Sequence, residues 1–252
     1  MPKDTPLPHK PHPPKRPGLV AVLGGLVLGC TGASATPTVE NTMAQRLQAC
    51  TACHGEQGRA APDGYHPRLA GKPAGYLYNQ LRHFQEGRRA YGPMDQLLST
   101  LSDSYLRDIA QHYAELRVPY PPPAPVNASA EVLQRGRTLA LVGDPSRELP
   151  ACASCHGSQL LGRLPAVPGL LGLPRDYING QLGAWREGQR RAHAPDCMRT
   201  VADRMAPADI AAVSAWLASQ VVPTPAVPET ARASPDGRCG LAAHRSEGRS
   251  VP

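Results

Sequence analysis

The pentapeptide Cys50-Thr51-Ala52-Cys53-His54 recurs as Cys152-Ala153-Ser154-Cys155-His156, and glycine follows each copy. Few short patterns constrain a chain so tightly. Two thiols two residues apart can form thioethers with the two vinyl groups of one haem. The histidine directly after them then lies under the iron as its proximal ligand. A bare C-x-x-C also suits a redox dithiol or half of a zinc site, but the immediate histidine selects haem c. The two copies predict two covalently bound haem c groups, held by Cys50, Cys53, Cys152 and Cys155, with His54 and His156 on the irons.

The repetition extends well past the motifs. His66-Pro67-Arg68-Leu69-Ala70-Gly71 matches Val167-Pro168-Gly169-Leu170-Leu171-Gly172, and the stretch from Tyr76 to Leu81 matches that from Tyr177 to Leu182. Phe84, Gly87 and Arg89 recur as Trp185, Gly188 and Arg190. Leu106, Ile109, Ala110 and Tyr113 recur as Ile210, Val213, Ser214 and Leu217. The chain is read as two homologous domains in tandem, at about 42–117 and 127–222. Prolines 119, 121, 122, 123 and 125 make 118–126 an extended linker. Residues 223–252, rich in Pro, Arg, Ser and Gly without apolar periodicity, are expected to form a disordered tail.

The fold class expected is all-α. A short helix leads into each motif, over Met43–Cys50 in domain one and over Glu131–Val142, with a loop before Cys152, in domain two. Leu77, Leu81 and Phe84 share one face of a helix over 74–86, and Ile178, Leu182 and Trp185 repeat that face. The last helix of domain one starts at Ser102 as N-cap with Asp103 in the first turn, and buries Leu106, Ile109, Ala110, Tyr113 and Leu116. Pro207 suits the first position of its counterpart. No convincing period-2 strand is present. This element order resembles that of the small mono-haem cytochrome c domain.

The sixth iron position needs a second ligand. Met94 lies in a loop after Gly92-Pro93, just before the last helix, and is the only methionine of domain one after the motif. Domain two offers Met198 and Met205. Met94 precedes Leu101 by seven residues, as Met198 precedes Met205. Met198 is therefore the expected ligand, and Met205 fills the core position of Leu101. Met43 is expected to pack in the first helix. His193, in the distal loop of domain two, is the rival; His66, His83, His112 and His244 are the other spare histidines. Thioether sulfur favours reduced iron and raises the potential. A His/Met haem has no open position, so it passes electrons rather than activating oxygen.

Residues 1–35 read as an export signal, with Lys3, Lys10, Lys15 and Arg16, an apolar run from Gly18 to Cys30, and Ala33-Ser34-Ala35 as a cleavage site. Two alternatives stay open: an uncleaved anchor, and a lipoprotein signal ending at Cys30 through Val27-Leu28-Gly29-Cys30. The formal charge is +7, of which four basic residues and one acidic residue lie in the leader. The haem carboxylates bring the holoprotein near neutrality. With aromatics at 4 % and no basic stripe, nucleic acid is not an expected partner. A mildly basic surface could steer an acidic redox partner. Cys197 and Cys239 either pair as a disulfide in an oxidising compartment or are two unrelated thiols.

Over about 42–222 the chain resembles the dihaem cytochrome c4 family, built from two class I cytochrome c domains. The resemblance rests on the doubled Cys-x-x-Cys-His-Gly, Pro67 to Gly71, the doubled Tyr-x-x-x-Gln-Leu, Phe/Trp-x-x-Gly-x-Arg and the late methionines. It implies a periplasmic electron carrier, often membrane-associated, running from a quinol-oxidising chain to a terminal oxidase, with haems facing each other across the domain interface through propionate hydrogen bonds. Carried over by residue, the iron ligands are His54 with Met94 and His156 with Met198. The long leader, the C-terminal extension, Cys197 and the Pro-Gly-Leu-Leu-Gly of domain two depart from the family pattern. The leading expectation is a non-enzymatic shuttle. The alternative is a cytochrome subunit of a membrane-bound or periplasmic dehydrogenase. A dihaem peroxidase would need one displaceable ligand, which two matching halves disfavour.

Overall fold

A computed structural model describes residues 42–230 and Cys239. The export signal, Cys30, His244 and the rest of the expected tail lie outside the described residues. Domain one contains α1 (Met43–Arg46), α2 (Gln48–His54), α3 (Ala74–Gln85), α4 (Gly92–Leu98) and α5 (Asp103–Glu115). Domain two contains α6 (Ala130–Leu141), α7 (Cys152–His156), α8 (Arg175–Arg186), α9 (Cys197–Arg204) and α10 (Pro207–Ser219). The repeat seen in the sequence is now spatial: α3, α4 and α5 correspond to α8, α9 and α10. Among the described residues, no helix is long and apolar enough to cross a membrane.

The long helices start and bury as their residues dictate. Ser102 Oγ accepts from Tyr105 N, and Ser129 Oγ from Val132 N, satisfying N–H groups that a helix start otherwise leaves orphaned. Leu106, Ile109, Ala110 and Tyr113 of α5 are buried; Leu116 packs at the edge of their cluster. In α10, Ala212 and Ala215 are buried as well as Ile210, Val213, Ser214 and Leu217, because α6 packs on one side of α10 and α8 on another. Met205 is 4 % exposed within the domain-two core, while Leu101 sits at the edge of two domain-one clusters.

Several expectations need correction. The first helix of domain one breaks at Leu47 into α1 and α2. Met94 lies on a short helix rather than in a loop, and Met198 lies on the corresponding helix of domain two. Pro93 stands in the first turn of α4, and Asp196 caps α9 by accepting from Arg199 N at 3.0 Å. Domain two has a two-residue antiparallel ladder, β1 (Gly162–Arg163) on β2 (Val167–Pro168). Residues 223–230, assigned to a disordered tail, are placed against domain two. Glu229 pairs with Arg163 at 3.1 Å and accepts from Ser158 N and Oγ at 2.6 Å each, and its backbone bonds Gly162 and Leu164. The Pro-rich linker is also held: Arg68 donates to the carbonyls of Val118 and Pro119 and stacks 3.8 Å from the Tyr120 ring.

The two domains meet along a seam of equivalent residues. Arg89 and Arg190 form an antiparallel backbone bridge, and Arg191 N donates to Arg88 O at 2.7 Å. Gly75 N donates to Pro165 O at 3.1 Å, and the buried Lys72 reaches from domain one to Gly169 O at 2.9 Å. Burial pushes the Lys72 ammonium down to about 7.

Candidate haem sites

Each C-x-x-C-H segment ends a helix, so its histidine turns inward while the chain leaves through glycine. Gly55 and Gly157 have φ of 73° and 89°, and a Cβ there would lie 2.6 Å from Ala60 O and 2.9 Å from Gly162 O. Only glycine takes that turn without strain. It lets the following loop fold back under the histidine.

His54 and His156 are each 7 % exposed. The Nδ1 of His54 lies 2.8 Å from Pro67 O, and that of His156 lies 2.8 Å from Pro168 O. A carbonyl only accepts, so each Nδ1 carries the proton and each Nε2 keeps its lone pair. Burial holds both imidazoles below their usual range, which favours the neutral, ligating form. The two proline carbonyls stand in the repeated Pro-x-Leu-x-Gly segment, whose contact with the histidines local pattern alone does not reveal.

One cavity of about 820 Å³ runs through both domains. Cys50, Cys53, His54 and Met94 line it in domain one; Cys152, Cys155, His156 and Met198 line it in domain two. The structure thus brings all eight expected site residues to one space. Met205 also lines it but is packed into the core. Cys53 and Cys155 are exposed, whereas burial raises the Cys50 thiol and pushes Cys152 up to about 11. His193 lines no part of this cavity; its Nε2 is 3.7 Å from Glu86 Oε2 and its ring 5.1 Å from that of His83. Cys197 and Cys239 are disulfide-bonded, settling the two open readings, and both reach the cavity wall beside Met198.

The wall also carries charge without an answering charge. Arg89 donates to Gln80 Oε1 at 3.1 Å, Gln181 Oε1 at 2.9 Å and Tyr177 OH at 3.1 Å. Arg190, 5 % exposed, donates to Gln181 Oε1 at 2.6 Å and Gln80 Oε1 at 2.9 Å. Each guanidinium therefore bonds a glutamine from both domains. Every one of these acceptors is neutral, and among the described residues neither arginine has a carboxylate partner. Buried cations normally have an anion. Burial works to raise the Tyr177 phenol, yet the two guanidiniums bring it net down. A haem, apolar over its ring and carboxylate at its edge, fits both the apolar walls and this unanswered pair. No group of three or more His, Cys, Asp or Glu among the described residues is arranged to hold a bare metal ion, so the dithiols have no partners for a zinc site.

The domains differ around their histidines. In domain one, Asp63 binds His66, which holds the carboxyl down at about 2, and Tyr91 OH lies 3.4 Å from His66 Nε2. The His66 ring stands edge-on to His54 at 6.0 Å. Among the described residues, domain two has no such relay.

No family model matches the chain. It is 37 % identical over 208 residues to a thiosulfate dehydrogenase electron acceptor of Thiomonas intermedia, spanning 82 % of this chain and 92 % of that one. It is 32 % identical to cytochrome c4 of Pseudomonas aeruginosa, spanning 79 % of this chain and 96 % of the relative. Reduced cytochrome c4 of Pseudomonas stutzeri superposes with a TM-score of 0.61 at 30 % identity, covering 69 % of this chain and 94 % of that one. A thiosulfate dehydrogenase of Marichromatium purpuratum gives a TM-score of 0.62 at 32 % identity over 68 % of this chain, which spans 36 % of that longer one. The doubled motif, the tandem all-α domains and these likenesses agree: the chain belongs to the cytochrome c4 family of c-type cytochromes, which carry electrons on covalently bound haem c and are not enzymes.

Proposed function

We propose that the chain holds two haems, one per domain, with His54 and Met94 on one iron and His156 and Met198 on the other. In this reading it works in the periplasm, free or peripherally membrane-associated, taking electrons from a dehydrogenase and passing them to a terminal oxidase or similar acceptor. The observation that carries it is the single cavity lined by both C-x-x-C-H motifs and by one equivalent methionine from each domain. The haem supplies one-electron exchange between ferric and ferrous iron. The chain does the rest. Cys50, Cys53, Cys152 and Cys155 would anchor the group covalently. Pro67 and Pro168 hold the imidazoles with Nε2 free to ligate. Met94 and Met198 would each supply a second ligand to an iron. Leu77, Phe84, Ile178 and Leu182 exclude water, so little solvent has to reorganise when charge arrives. Arg89 and Arg190 would hold the carboxylates at the seam.

The likeness to the Thiomonas intermedia relative supports a thiosulfate-oxidising dehydrogenase as the donor. A second reading, a permanently docked dehydrogenase subunit, is favoured by the fold's presence as part of a longer chain in Marichromatium purpuratum. Mixing the oxidised cytochrome with thiosulfate and trace thiosulfate dehydrogenase separates the readings. Complete, saturable haem reduction by trace enzyme is expected of a shuttle. Reduction only in proportion to the enzyme marks a bound subunit. No reduction at any ratio contradicts both as to the donor.

A further inference from the structure

Lys72 is the only lysine beyond residue 15; every other basic residue after that point is an arginine or a histidine. It is 4 % exposed and lies in the turn between the Pro67 loop and α3. Its side chain leaves its own domain and donates to Gly169 O at 2.9 Å, next to Pro168, whose carbonyl holds His156. The start of α3 is fixed at the same place by Gly75 N on Pro165 O at 3.1 Å. An ammonium has three N–H groups. Among the described residues only one of them has an acceptor and no carboxylate faces it; the neighbouring charge is Arg68, which repels it. Lys72 also lines the cavity. A cation buried so far is costly unless negative charge answers it.

The charges around the two histidines do not match. Near His156 stand Lys72, Arg163 and Arg190; near His54 stand Arg89, His66 and Asp63. Arg89 and Arg190 are counterparts in the repeat and bond the same two glutamines, so they act alike on the two domains. Arg163 is answered by Glu229 at 3.1 Å, and His66 by Asp63. With these set against each other, Lys72 is the charge left without a balance, and it stands on the domain-two side. The repeat puts Leu173 where Lys72 stands, so domain two returns no ammonium to domain one.

We propose that Lys72 of domain one tunes the electron affinity of domain two: its fixed ammonium, laid against the loop that holds His156, makes one-electron reduction at that site more favourable. The proposal rests on the reading of one His/Met haem per domain. Burial alone favours the neutral amine; carboxylates brought by the haems into the same cavity favour the charged form. A positive charge in the protein interior acts more strongly than one in solvent, and its effect falls with distance. Domain two therefore gains more than domain one. One electron passes more readily from domain one, which is oxidised, to domain two, which is reduced, and Lys72 keeps its protons. Because the charge comes from the other domain, the tuning holds only while the seam is closed.

The test is an optical redox titration of the holoprotein at mildly acid pH. Met198→Leu identifies the domain-two potential by its large fall; two unmoved potentials would instead remove the ligand reading on which the proposal rests. Lys72→Gln keeps a donor for Gly169 O and drops the charge. The domain-two potential is expected to fall, so that at a fixed ambient potential its ferric-to-ferrous ratio rises several-fold, with a smaller change in domain one. Lys72→Arg keeps the charge and should keep most of the wild-type potential. An unmoved domain-two potential in Lys72→Gln, an equal fall in both domains, or as large a fall in Lys72→Arg overturns the proposal. If the variants do not load both haems, the wild type answers. Without residues 1–35 Lys72 is the single lysine, so carbon-13 at lysine Cε reports it alone by NMR. Coupling between two sites is reciprocal. The ammonium should therefore lose its proton at higher pH in the reduced protein than in the oxidised one; one midpoint for both states overturns the proposal.

Discussion

His83 sits at the seam between the domains, 5 % exposed, with no partner for its Nε2. Burial, then the nearby His193 and Arg190, hold its imidazole down at about 4. A folded-state value below the unfolded one means the unfolded chain takes up the proton first. His83 therefore contributes stability that is complete above about pH 6.5 and is lost as pH falls toward 4. Allowing for partial screening, the loss is roughly 2 kcal/mol. Urea unfolding from pH 7 to 4.5 should show a steeper fall for the wild type than for His83→Gln; parallel curves would contradict the assignment. Neither the burial of His83 nor the Nδ1 bonds of His54 and His156 could be read from sequence. Each depends on a residue brought close by the fold, whereas the motif cysteines and histidines are identified by spacing alone.

At the scale of elements, α10 depends on one carboxylate near its start. Asp209, 4 % exposed, accepts from Arg135 at 2.8 and 3.0 Å, from Arg147 at 2.6 Å and from Ala206 N at 3.1 Å. Burial alone would raise its carboxyl, but the two arginines bring it net down. It ties α6, the turn at 145–147 and α10 together. The carboxylate is buried but Arg135 and Arg147 are partly exposed, so the loss is set by the charged hydrogen bonds rather than by a fully buried ion pair. Asp209→Asn should lower stability by about 1.5–3 kcal/mol; a change under about 0.5 kcal/mol would show that solvent screens the cluster. The long helices were legible because apolar residues fall on one face and Ser102 or Pro207 marks the start. The short α4 and α9 were not, since so few residues complete no periodic face. The segment at 223–230 has no apolar periodicity at all. It is ordered by Glu229 meeting residues about seventy positions earlier.

Residues 42–222 are a duplication whose two halves meet at a seam of equivalent residues. The repeat predicted both domains and their equivalent ligands, but not how they face each other. Arg89 and Arg190 were visible as the ends of Phe/Trp-x-x-Gly-x-Arg. That they meet, share Gln80 and Gln181, and have no carboxylate partner among the described residues is a property of the seam. The asymmetry is equally tertiary: Lys72 of domain one adds positive charge near His156, while Asp63 stands near His54. The most direct measurement is an optical redox titration of the mature holoprotein, with haem counted per chain and the sulfur-to-iron band followed in the ferric state. Two haems per chain, both keeping that band and titrating at positive potentials, are predicted. One haem per chain, or a component without the band at a much lower potential, would contradict the paired His/Met sites.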